Sequence, residues 1–222
     1  MTKTNFFRKI RLNNSRKAFT LPEVIVSFSV LIMVITSAAG ILASVIRSNG
    51  DNVNSLVAYG LAQEGVEAVR FVRDSNFTLG LDFDGVTKSL SAAPFGAKLF
   101  DGVNPKVFKV VLNDTVAPSC TKDVLANCLP IKLAELSGDF ESLQAGEEGR
   151  MMIKESESGE IEYLQVDGLV SEMNPSIYKR LVRVEQIEPG KLRVSVWVGW
   201  NSLTSNLPKQ VMITTDLTDW RS

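Results

Sequence analysis

The chain has 222 residues, enough for one domain of ordinary size with a buried core. Its 45% hydrophobic and 22% charged residues are those of an ordinary folded protein, and a net charge of −1 names no partner. There is no histidine, which removes the commonest general base and metal ligand and weighs against an enzyme.

The average hides an asymmetry. Lys3, Arg8, Lys9, Arg11, Arg16 and Lys17 precede residue 19, with no acid among them. Taking these six from the 24 basic residues leaves 18 against 25 acidic, a net −7. That acidic remainder argues against nucleic-acid binding. From Val24 to Ile46 the next 23 residues carry no charge, and Arg47 closes the run. As a helix rising about 1.5 Å per residue, the run spans a hydrocarbon core of about 30 Å. It is longer than the apolar core of a signal peptide. Basic residues before such a span hold that end in the cytoplasm, so a single pass with the remainder outside is predicted. A plain signal anchor has the same hydropathy.

The junction reads Arg16-Lys17-Ala18-Phe19-Thr20-Leu21-Pro22-Glu23-Val24. A small residue separates a basic patch from Phe-Thr-Leu-x-Glu, directly before the span. Glu23 is the anomaly. A carboxylate costs about 2.5–3.5 kcal/mol at the centre of a membrane helix, and less toward its end. Such a residue is usually functional and needs a partner.

This junction resembles the cleavage and methylation signal of the type IV pilin and pseudopilin family. The resemblance covers about nine residues, or about 28 with the span. It implies cleavage between Ala18 and Phe19 by a prepilin peptidase and N-methylation of Phe19. It also implies assembly through Glu23, the fifth mature residue, which would pair with a neighbour's new amine. The family usually has glycine before the cut, and Ala18 departs from that. The implied partners are other pilins or pseudopilins, the peptidase and N-methyltransferase, a membrane platform protein and the lipid bilayer. The physics agrees: a helix N-terminus and a new amine both favour a nearby carboxylate. Removing either partner would leave an uncompensated ion. Pro22 loses no helical hydrogen bond in the first turn, and it disfavours α geometry at Leu21. That predicts an extended, accessible cleavage site.

Residues 48–76 are predicted to continue the helix. Val53, Leu56, Val57, Leu61, Ala68, Phe71 and Val72 recur at three- and four-residue steps and give one apolar face. Asp74-Ser75-Asn76 reads as the stop, so a helix from Phe19 to Arg73 would be about 80 Å long. Gly40, Gly50, Gly60 and Gly65 lower helix propensity, and Gly50-Asp51-Asn52 is the predicted break. The stretch Gln63–Asn76 also resembles that of many prepilins.

Residues 77–177 alternate short apolar runs with turn residues. Strands are predicted at Val107–Leu112, Arg150–Lys154 and Ile161–Val166, the last two joined as a hairpin through Ser156–Gly159. Ser137–Gly149 reads as an acidic surface loop. In residues 178–222, strands are predicted at Tyr178–Ile187, Leu192–Trp200 and Gln210–Thr215, with a type II turn at Glu188-Pro189-Gly190-Lys191. Leu192, Val194, Val196, Val198 and Trp200 share one face, which Val182, Val184, Val211 and Ile213 complete. This sheet would cover the helix. Trp197, on the other face, is either a partner contact or covered by residues 77–177. The tail Leu217–Trp220 resembles that of minor pilins of the PilV type.

Cys120 and Cys128 are eight positions apart. Outside the cytoplasm they would close a small loop as a disulfide worth about 2–3 kcal/mol; two free buried thiols are the alternative. Without histidine they make a poor metal site. Asp82-Phe83-Asp84-Gly85 alternates carboxylates as calcium loops do, but it lacks the remaining ligands and reads as a turn. No P-loop, nucleophile elbow or zinc-protease motif is present, and no cofactor or metal is expected.

The sequence therefore predicts an α+β, pilin-like fold: a removed leader at 1–18, a transmembrane or filament-core helix at 19–47, its amphipathic continuation at 48–76, a variable region at 77–177 and a C-terminal sheet at 178–222. The implied function is a structural subunit, a minor pilin or pseudopilin of a type IV pilus or type II secretion-like filament. It would wait in the cytoplasmic membrane and end in an extracellular or periplasmic filament. A membrane-anchored extracellular binding module that never polymerises is the alternative, and an anchored enzyme is a third.

Overall fold

The computed structural model describes residues 19–78, 99–100, 104–112, 131–155, 158–166, 173–201 and 208–219. Its elements are α1 (Leu21–Thr78), β1 (Lys106–Leu112), β2 (Ile131–Leu136), α2 (Phe140–Ala145), β3 (Arg150–Glu155), β4 (Ile161–Leu164), β5 (Asn174–Glu188), β6 (Lys191–Asn201) and β7 (Pro208–Thr218). The fold class is α+β: a long N-terminal helix and a seven-stranded antiparallel sheet. The chain divides into two compact units, Met1–Ser48 and Asn49–Ser222.

In the second unit β5 organises the sheet. One of its edges pairs with β6, and the other pairs first with β3 and then with β1. β2 flanks β1, β4 flanks β3, and β7 flanks β6. The register puts Val182 opposite Val196, Val184 opposite Val194, Ile213 opposite Val196, and Val211 opposite Val198. These residues join Leu192, Trp200, Phe108, Val110 and Leu133 in one core with α1. The apolar face read from the C-terminal sequence is thus the inner face of the sheet. The turn after β5 places Gly190 at φ 78°, as a type II turn requires of its third residue.

Several predicted boundaries move. The helix starts at Leu21 and continues through Asp74-Ser75-Asn76 to Thr78. Burial of Asn76 and Phe77 overrides the local stop signal, and the Ser75 hydroxyl donates back to the Phe71 carbonyl at 2.7 Å. Gly50-Asp51-Asn52 is helical. There Lys209 Nζ lies 2.7 Å from the Asp51 carboxylate, and Ser55 Oγ donates to the Asp51 carbonyl at 2.9 Å. The predicted loop at 137–149 contains α2, whose Leu143 is buried. β2, which was not predicted, carries Leu133 into the core.

The sheet-facing side of α1 differs in part from expectation: Leu61, Ala68 and Val72 are buried as predicted. Ala58, Leu61, Ala62, Gly65, Val66, Val69 and Val72 are buried, whereas Val53 and Leu56 are 58% and 73% exposed. Large side chains suggest a different face, but small ones let the helix approach the strands. A Cβ on Gly65 would lie 2.8 Å from Val196 Cγ1. Gly65 is therefore a close-approach residue and not a point of flexibility.

A polar junction completes the layer. β4 ends at Leu164, two residues before its predicted end, and the buried Gln165 turns inward. Its Oε1 accepts from Val110 N at 3.0 Å and Arg180 Nε at 3.1 Å; its Nε2 donates to Gly149 O at 2.9 Å and Arg180 O at 2.8 Å. These are all the bonds one amide can make. They fall where β5 passes from its β3 ladder, ending at Lys179, to its β1 ladder, starting at Val182. Arg180 is 1% exposed and also donates to the Leu61 carbonyl at 3.2 Å. Burial pushes its guanidinium down from the ordinary value, while Glu64, 3.0 Å away on α1, opposes that.

Two outcomes follow for the detergent-solubilised full chain in urea titrations. Gln165→Met keeps side-chain volume but strands several buried groups at about 1–3 kcal/mol each, so a loss of about 3 kcal/mol or more is expected; a loss near zero would mean the junction is not structural. Gly65→Ala should cost about 1–3 kcal/mol by overpacking, whereas Gly60→Ala, whose Cβ meets nothing within 4 Å, should be neutral or gain up to about 1 kcal/mol. Equal effects would contradict the close approach at Gly65.

Candidate functional site

The first unit is dominated by the opening half of α1. The Thr20 carbonyl starts the helix by accepting from Glu23 N at 3.0 Å and Val24 N at 3.2 Å. Pro22 sits inside this first turn, where its missing N–H breaks no bond. Leu21 is already helical, contrary to the expected extended geometry there. The bias of a pre-proline residue is small beside helix formation when proline occupies the first turn. Thr20 and Glu23 have the Ser/Thr-x-x-Glu spacing of a helix start, a second meaning of the same short motif. Glu23 is exposed in the first turn, at the positive end of the helix dipole. Phe19 is 77% exposed, and Ala18 lies outside the described residues.

Every residue from Phe19 to Gly50 is exposed. By length and composition this helix can cross a membrane. Its hydroxyls suit an apolar solvent. Ser27 donates to the Glu23 carbonyl at 2.8 Å, Ser29 to Ile25 at 2.9 Å, Thr36 to Ile32 at 2.9 Å, and Ser37 to Met33 at 2.8 Å. These four polar hydrogens therefore have internal partners and ask nothing of lipid.

Among its described residues the second unit offers no comparable chemistry. Trp197 is not a surface contact: Val107, Leu143 and Leu181 bury it in a second cluster on the outer sheet face. Its Nε1 donates to Gln210 Oε1 at 2.7 Å. Beside it lies a cleft of about 510 Å³ between α2 and the β6–β7 end. The basic side chains there are matched. Lys179 donates to Gly146 O at 2.7 Å and pairs with Glu147, Arg150 pairs with Glu147, and Lys209 pairs with Asp51. The Glu147 carboxyl is held below its usual range, first by its hydrogen bond from Lys179 and then by that from Arg150. Among the described residues no group of three His, Cys, Asp or Glu side chains could hold a metal. Cys120, Cys128, Asp82, Asp84 and Trp220 lie outside the described residues.

No family profile, curated protein or solved structure matches the chain. The candidate site is therefore defined by the helix itself: an apolar surface exposed on every side, headed by one carboxylate.

A charge placed mid-helix should block membrane insertion. Ile35→Arg is expected to disfavour insertion by about 2.5–3.5 kcal/mol, read as a shift of the chain from the alkali-resistant membrane fraction. Ser29→Leu, which removes only an internally satisfied hydroxyl, should leave fractionation unchanged. Retention of Ile35→Arg in the membrane would argue against a spanning helix.

Proposed function

We propose that this protein is a pilin-like structural subunit, a minor pilin or pseudopilin. In this reading it is held in the cytoplasmic membrane by α1, cut after Ala18 and assembled through that helix into a type IV pilus or secretion-like filament. The observation that carries the reading is the wholly exposed apolar start of α1, with Glu23 in its first turn. Exposed apolar surface of this extent needs another apolar phase. Lipid supplies it before assembly, and packed helices supply it after.

The carboxylate gives assembly a direction. Cleavage before Phe19 would create an amine on the positive end of the helix. Among apolar helices, Glu23 of one subunit and that amine of another would neutralise each other, so packing and charge pairing favour the same arrangement. The six basic residues before the cut would hold the leader in the cytoplasm, where the peptidase acts. The second unit would stand outside.

Mass spectrometry of the mature chain should give an N-terminus at an N-methylated Phe19. Glu23→Gln should leave membrane insertion and cleavage unchanged while abolishing recovery in sheared filaments. A mature chain that begins at Met1 would sink the filament reading and favour an anchored binding module. Normal filament recovery of Glu23→Gln would remove the charge-pairing step.

A further inference from the structure

We infer that the outer edge of β7 takes up an extended segment of a partner protein as a further strand of the sheet. The segment is one with an apolar side chain at every second residue. The inference concerns the second unit alone and does not depend on the filament reading. Its starting observation is an open edge: β7 pairs with β6 and with no other described strand.

The register shows which groups are open. The Asp219 amide donates to the Gly190 carbonyl at 2.8 Å, one step beyond the Thr218–Lys191 pair. Hydrogen-bonded and open pairs alternate along an antiparallel ladder. Leu217, Thr215, Ile213 and Val211 therefore turn their peptide groups to β6, and Asp216, Thr214, Met212 and Gln210 turn theirs outward. Among the described residues nothing bonds to the outward peptide groups of these four. A row of amides and carbonyls at every second residue is matched by another extended backbone and by little else.

Edge strands are normally guarded by brevity, charge, proline or a bulge. β2 and β4 are so guarded: they have six and four residues and carry Glu135 and Glu162. β7 has 11 residues and an unbroken register, and its proline is its first residue. Gln210–Thr215 carries no charge. The charges on either side are spent within the chain. Lys209 lies 2.7 Å from Asp51, and Asp216 lies 3.0 Å from Arg193 and 3.3 Å from Lys191.

The space beside the edge selects the segment. A groove of about 420 Å³ separates β7 from α1, lined by Tyr59, Gln63, Val66 and Arg70 on α1 and by Ile213 and Thr215 on β7. The inward side chains of an added strand enter it. Arg70 is already paired with Glu67 at 2.6 Å, so a charged side chain there would lose water and gain no partner. An apolar one covers Ile213 and Tyr59, which is 51% exposed. β7 of a second copy is a poorer occupant. Inner residues stay inside across such a pair, so the second copy would bring its own α1 to the same side of the sheet, onto a groove sized for side chains.

The test titrates the detergent-solubilised full chain into a fluorescein-labelled, end-capped peptide of alternating threonine and valine, read by anisotropy. The expected result is saturable binding that slows amide exchange at Met212 and Thr214. The same peptide N-methylated throughout should bind about tenfold more weakly or worse. Thr214→Pro should weaken binding equally. Its N–H points outward, so the proline breaks no bond to β6 and the urea midpoint should hold. Thr214→Lys, which guards the edge with charge, is the second variant. No binding, equal binding of the N-methylated peptide, or unchanged binding by either variant that keeps its fold would overturn the proposal. So would protection that falls away from β7. A dimer of the chain that Thr214→Pro dissolves would also overturn it, by giving the edge to a second copy.

Discussion

One amide and one guanidinium set the geometry of the second unit. β5 is served on one edge by two different strands, and the handover between them leaves backbone groups without a ladder partner. Buried peptide groups cannot be left unpaired in an apolar layer. Gln165 supplies what a continuous strand would have supplied, joining Val110 of β1, Gly149 before β3 and Arg180 of β5. Arg180 carries the same junction across the layer to Leu61 and Glu64 on α1. The sheet is thereby one surface, and the helix has one seating on it.

That seating decides what remains for function. The sheet takes the side of α1 bearing Ala58, Ala62, Gly65 and Val66. Contact between Gly65 and Val196 brings the layers close, and small residues are what permit it. Val53 and Leu56 are consequently left outside. An apolar helix side is a liability in water unless something covers it.

The same economy is visible at the start of α1. The hydroxyls of Ser27, Ser29, Thr36 and Ser37 close on their own helix, so the exposed surface there is almost wholly apolar. Glu23 is the exception. A lone carboxylate in such a surface is tolerated where a positive group meets it, and in the function proposed above that group is the amine of a processed chain end.

Much of this was legible along the chain. Periodicity near two located the C-terminal strands and their apolar face, because each register there pairs residues of neighbouring hairpin arms. The charge-free run and the residues around Phe19 were legible for the same reason: length, charge and local order are properties of contiguous residues. The face of α1 that meets the sheet, the burial of Arg180, the inward turn of Gln165 and the pairing of β2 were not. Each depends on a partner far away in sequence, Arg180 on Glu64 and Gln165 on Val110. A glycine reads as a helix breaker and an arginine as a surface residue until tertiary structure places a valine against the one and a carboxylate beside the other. Sequence alone determined the long helix, the C-terminal strands and the stretch fit for lipid, because those follow from local pattern. Only the tertiary structure decided which sides are spent on the core and which are left exposed, because burial is a property of the packed whole.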